Sequence, residues 1–186
     1  MAHPYERVSS RARRVVFLAL LALTVVLLLA LGRLYEPLSN GVATRGILSL
    51  ELASTPERMS QVLRSWSQSS ITGLAFSLGL NFLCLAALTN ALALACVMGS
   101  ATVGKPARWG ALLAWCQWLA AAVWAIQNSL LARDALTLQP EFTTMSAWLA
   151  VVKLACVAAG LLYAVIACVI GLVRHRRAQE LPSPMS

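Results

Sequence analysis

Four apolar runs alternate along the chain with polar breaks: residues 15–34, 71–98, 109–131 and 148–173. A hydrocarbon core of ~30 Å is crossed by about 20 residues of helix, so each run is long enough to span it. The second and fourth exceed that length and should tilt or protrude. The pattern predicts an all-α fold, a four-transmembrane-helix bundle forming a single membrane domain over residues 1–186. The first run follows a basic stretch, and Ala30-Leu31-Gly32 loosely resembles a signal-peptide cleavage site. Its apolar core from Val15 to Leu31 is longer than the usual ~7–15 residues of a signal, so a retained helix is expected; cleavage would leave three spans.

Between the first two runs lies the one substantial polar segment, 35–70. Its centre reads GILSLELASTPERMSQVLRSW, residues 46–66. Ser54-Thr55-Pro56-Glu57 is a helix start, with Thr55 capping ahead of Pro56 or Ser54 forming a capping box with Glu57. Met59, Val62, Leu63 and Trp66 then fall at i, i+3, i+4 and i+7, an apolar stripe on a short amphipathic helix. Arg58, Gln61, Arg64 and Ser65 cover the other side. So short a helix is marginal alone, and the stripe needs the bundle or the headgroup zone to lie on. Upstream, ILSLELA alternates like a strand, but a lone strand in lipid leaves its backbone unsatisfied, so a short helix is expected there. The loops 99–108 and 132–147 read as short, and 178–186 as a disordered tail.

Composition changes the solvent, not the pattern. Hydrophobic residues make up 59% and charged residues 12%, with a mean hydropathy of +0.73. Lipid, rather than water, must surround most of such a chain. The net charge of +8 does not indicate nucleic acid. Arg7, Arg11, Arg13, Arg14, Lys105, Arg108, Arg174, Arg176 and Arg177 flank the spans, as topology signals do. With both termini cytoplasmic, the opposite side holds Arg45, Arg58, Arg64 and Arg133 among Glu36, Glu51, Glu57, Asp134 and Glu141. Segment 35–70 then faces outward as a lid.

Ionisable and amide side chains inside spans are costly and tend to face protein. Lys153 lies five residues past Trp148, ~8 Å deep. Gly160, Ala164, Ala167 and Gly171 share its face, a small-residue stripe of the kind that packs helices together. Lys153 therefore either points into the bundle or snorkels to the interface. Gly110, Ala114, Gln117, Ala121, Trp124 and Asn128 share one side of the third span within ~60°. Asn81 and Asn90 lie on opposite faces of the second, with Asn90 at a depth that suits an amide bond to Gln117. A polar patch is expected in the outer half of the bundle, with Lys153, Asn128 and Gln127 as its floor and Glu51 or Glu141 as the anion. Glu51, Asn81, Gln117, Gln127, Asn128, Glu141 and Lys153 are the candidate ligand contacts.

Much familiar chemistry has no sequence support. His3 and His175 lie outside the spans, and the cysteines at 84, 96, 116, 156 and 168 form no C-x-x-C. Nucleotide loops, HExxH and GxSxG are missing. Neither catalytic residues nor a metal or cofactor are expected. Glu51-Leu52-Ala53, followed by a capped helix ending at Trp66, resembles the first loop of uncharacterised bacterial four-helix integral membrane proteins. That resemblance implies a compact four-span fold in a bacterial plasma membrane and carries over no site. The leading expectation is a non-catalytic scaffold, accessory subunit or lipid-contacting component. The alternatives are an oligomeric transporter or channel drawing an anion to Lys153, and a membrane enzyme with an outer-facing polar site. The lipid bilayer is the expected partner, with a membrane protein or a second copy as further candidates and nucleic acid excluded.

Overall fold

A computed structural model describes residues 3–103, 107–139 and 141–180. The fold is all-α, with no strand among the described residues. A 3-10 turn at Pro4–Arg7 precedes α1 (Ser10–Tyr35), and a second one, Glu36–Leu38, follows it. Two short helices, α2 (Ile47–Glu51) and α3 (Pro56–Arg64), come next. The long helices α4 (Gln68–Val103), α5 (Ala107–Thr137) and α6 (Thr143–Glu180) complete the chain. Four helices are long and apolar enough to cross a membrane, so this is a multi-pass membrane protein. Val15, Leu29, Leu161 and Leu172 are all more than half exposed, the state expected of side chains whose solvent is lipid.

The helices outrun the apolar runs that predict them. Helix α4 continues through Ser100 to Val103, and α5 begins at Ala107, so most of the expected loop 99–108 is helical, with residues 104–106 outside the described residues. The expected loop 132–147 is likewise reduced, because α5 runs to Thr137 and α6 starts at Thr143. The tail expectation is corrected in part: α6 stays helical through Glu180, since no breaker occurs before Pro182. Residues 181–186 lie outside the described residues. Polarity ends an apolar run, but only a breaker or a turn ends a helix.

Helix α4 is the central post and packs on each of the other long helices. Helix α5 packs on α4 and α6, whereas α1 leans on α4 and scarcely meets α6. Close approach at the α4–α5 crossing depends on Gly110. A Cβ there would sit 2.6 Å from the backbone oxygen of Cys96, a collision that no side-chain movement relieves. The small-residue face of α6 does pack: Gly160 lies against Gln117, and Ala167 against Gly99. Two hydroxyls within the spans donate to their own helix, Thr24 to the Leu20 carbonyl at 2.8 Å and Thr89 to that of Leu85 at 2.7 Å.

One end of the bundle is capped. Thr55 is the N-cap of α3, accepting from the Arg58 backbone N–H at 3.2 Å, with Pro56 in the first turn. The predicted stripe of Met59, Val62, Leu63 and Trp66 is buried against Leu74, Leu78 and Leu131. Burial of each such side chain contributes roughly 1.5–3 kcal/mol. Its surface is therefore the bundle and not the headgroup zone. Asn40 ties the cap together. Its Oδ1 accepts from the N–H groups of Val42 (2.9 Å) and Ala43 (2.7 Å), while its Nδ2 donates to the Ser65 carbonyl at 3.2 Å. The Trp66 indole N–H donates to the Leu38 carbonyl at 2.8 Å. ILSLE is helical, as α2, and Gly46 before it has φ +54°, a conformation costly for any residue with a Cβ.

Candidate functional site, a lateral cleft with a buried ion pair

The gap left between α1 and α6 is a cleft of about 980 Å³. Residues 35–51 form its roof, and α4 and α5 contribute Asn81, Leu88 and Trp124 to its wall. Below the roof the lining is aliphatic, with Leu28, Leu31, Leu154 and Val157. The rim carries Arg33, Glu36, Ser39 and Arg45.

Glu51, the last residue of α2, meets Lys153 of α6 on this wall. Lys153 Nζ donates to Glu51 Oε2 at 3.0 Å, and the two side chains are 3% and 9% exposed. The ammonium also lies 4.6 Å from the centre of the Trp124 ring. The short helix α2 is thus pinned over the bundle by charge as well as by its buried Ile47 and Leu50. In so dry a place each ion is stable only because the other is there. Lys153 points into the protein and does not snorkel.

The other expected contacts divide between separate places. Asn81 lines the cleft and donates to Asn128 Oδ1 at 3.3 Å, so these two amides are neighbours. Asn128 and Gln127 are fully buried but do not line the cleft, so the expected floor is corrected to Lys153, Trp124 and Asn81. Neither amide atom of Gln127 has a hydrogen-bond partner among the described residues. Glu141 is half-exposed and takes Arg133 at 2.7 Å, so it is not the anion for Lys153. Gln117 turns the other way and donates to the Cys156 carbonyl at 2.9 Å.

The suggested Asn90–Gln117 bond is absent. Asn90 Oδ1 accepts instead from the Tyr5 hydroxyl at 2.5 Å and the Trp118 indole at 3.2 Å. Tyr5 belongs to the N-terminal arm, which folds back onto the uncapped end. There His3 is buried against Tyr5, Trp115 and Trp118, with ring centres 4.7–5.1 Å apart. Burial holds the His3 imidazole below its ordinary pKa, opposed by the Glu6 charge, and pushes the Tyr5 phenol up. Only an aromatic at position 5 ahead of the basic stretch could have hinted at this dock.

All five cysteines are free thiols, two of them buried in helix contacts. No family model, curated protein or solved structure matches the chain. What the site can do must therefore be read from its own chemistry. The cleft combines an aliphatic trough, a neutral ion pair and a cationic rim, and it lies between two helices apolar enough to cross a membrane. That combination suits an amphiphile better than a soluble metabolite.

Proposed function

We propose that this protein is a non-catalytic component of a bacterial plasma membrane that holds an amphiphile of the surrounding bilayer in the α1–α6 cleft. Both termini lie in the cytoplasm and the cap faces outward. The observation that carries this reading is the cleft itself: about 980 Å³ of mainly apolar trough, left open between two helices and roofed by an ion-paired cap. An apolar trough between membrane-crossing helices favours a lipid chain over water, because its aliphatic lining offers water no hydrogen bonds. Pairing with Glu51 at 3.0 Å leaves Lys153 no spare charge, which weighs against a transporter that draws anions to it.

The test is a variant that fills the cleft. Gly32 lines it, and a Cβ there meets nothing within 4 Å. Gly32→Phe therefore enters the trough through a Cβ that meets nothing, and helix propensity rises by a few tenths of a kcal/mol. Wild-type protein extracted in mild detergent is expected to retain lipid in native mass spectra. Gly32→Phe should lose about nine-tenths of that occupancy at an unchanged melting temperature. Equal occupancy in the two proteins, or none in the wild type, overturns the reading.

A further inference from the structure

Resting on that reading, we propose that the occupant is an anionic glycerophospholipid with a single phosphate and no cationic headgroup, drawn from the leaflet at the capped end. Its phosphate sits between Arg33 and Arg45, and one acyl chain runs down the trough past Leu88 and Val157.

The rim supplies the chemistry. Arg33 and Glu36 are 3.9 Å apart, with side chains 88% and 74% exposed, a loose surface pair that a phosphate can replace with shorter, forked contacts. The Arg45 guanidinium has no ion-pair partner among the described residues, while its backbone N–H donates to Ser49 Oγ at 3.1 Å and its carbonyl accepts from the Leu48 N–H at 3.2 Å. Two guanidinium groups against one carboxylate leave the rim one positive charge in excess, and the Glu51–Lys153 pair on the wall adds none. One phosphodiester balances that excess. A choline or ethanolamine head would bring its own cation against the same guanidinium groups. A glycerol head brings hydroxyls, and Ser39 Oγ, which donates to the Thr44 carbonyl at 3.2 Å, keeps lone pairs to accept one. A soluble phosphate shares the headgroup chemistry but leaves the aliphatic trough unfilled.

Delipidated protein in detergent is titrated with phosphatidylglycerol and with phosphatidylcholine of the same chains, and bound lipid is counted by native mass spectrometry. The wild type should prefer phosphatidylglycerol about fivefold, one guanidinium's worth of surface attraction. Arg33→Gln/Arg45→Gln, both at exposed positions, should bring the ratio to about one while phosphatidylcholine binding holds. Gly32→Phe should abolish binding of both. Equal binding of the two lipids by the wild type, with Gly32→Phe still blocking them, overturns the headgroup assignment and leaves the cleft reading standing. A preference that survives Gly32→Phe places the lipid on the outer helix surfaces and overturns both. Inorganic phosphate that competes as well as the lipid also overturns the assignment.

Discussion

Glu51 and Lys153 carry more of the design than any other two side chains. Removing one leaves the other a bare charge in a dry wall. Lys153→Met and Glu51→Leu should each destabilise the protein by about 3–5 kcal/mol, while Glu51→Leu/Lys153→Met recovers most of the loss. A double-mutant cycle on thermal unfolding in detergent checks this, and additive penalties would refute the coupling. Lys153 was legible in the sequence, because an ammonium inside an apolar run must find shelter. Its partner was narrowed only to Glu51 or Glu141. Choosing between them needs the azimuth of α5, whose extension to Thr137 leaves Arg133 to take Glu141. Matching depth misled in the same way for Asn90 and Gln117. They share a level but face the N-terminal arm and α6 respectively.

Elements with a physical signature were readable, and those without one were not. The cap and stripe of α3 are written in Thr55-Pro56 and the spacing of Met59 to Trp66. The arm at Pro4–Arg7 has no periodicity, so its dock between Asn90 and Trp118 was invisible. The arm should also be the acid-sensitive element. His3 has a lowered pKa when docked, because desolvation disfavours the imidazolium more than Glu6 favours it. The free arm binds the proton more readily. Docking is therefore intact above the ordinary histidine pKa and weakens as pH falls below ~6.5. Tyr5 stays neutral throughout, its pKa being raised. Hydrogen-exchange protection of residues 3–8, taken relative to the intrinsic rate at each pH, should be high at pH 8 and lower at pH 5, and His3→Phe should keep it high at both. Protection that ignores pH in the wild type would remove His3 as the cause.

At the scale of the whole molecule, orientation follows from where the cations lie. Eight basic residues (Arg7, Arg11, Arg13, Arg14, Arg108, Arg174, Arg176 and Arg177) mark the end away from the cap, with Glu6 and Glu180 as its acids. The capped end has six (Arg33, Arg45, Arg58, Arg64, Arg133 and Lys153) among five acids, Glu36, Glu51, Glu57, Asp134 and Glu141. Basic residues beside spans resist translocation, while acids contribute little, so the uncapped end should stay in the cytoplasm. Exposed positions at the two ends report this directly. Gln61→Cys lies on the outer face of α3 and Arg176→Cys near the end of α6, whereas the native thiols lie within the long helices. A charged, impermeant maleimide on intact bacterial spheroplasts should label Gln61→Cys strongly and Arg176→Cys only after permeabilisation. The reverse result inverts the protein without disturbing the fold, and the lipid cleft would then open to the cytoplasmic leaflet. Anionic headgroups enrich that leaflet's surface potential, so inversion would move the Arg33–Arg45 rim into a more negative field and would strengthen its occupancy.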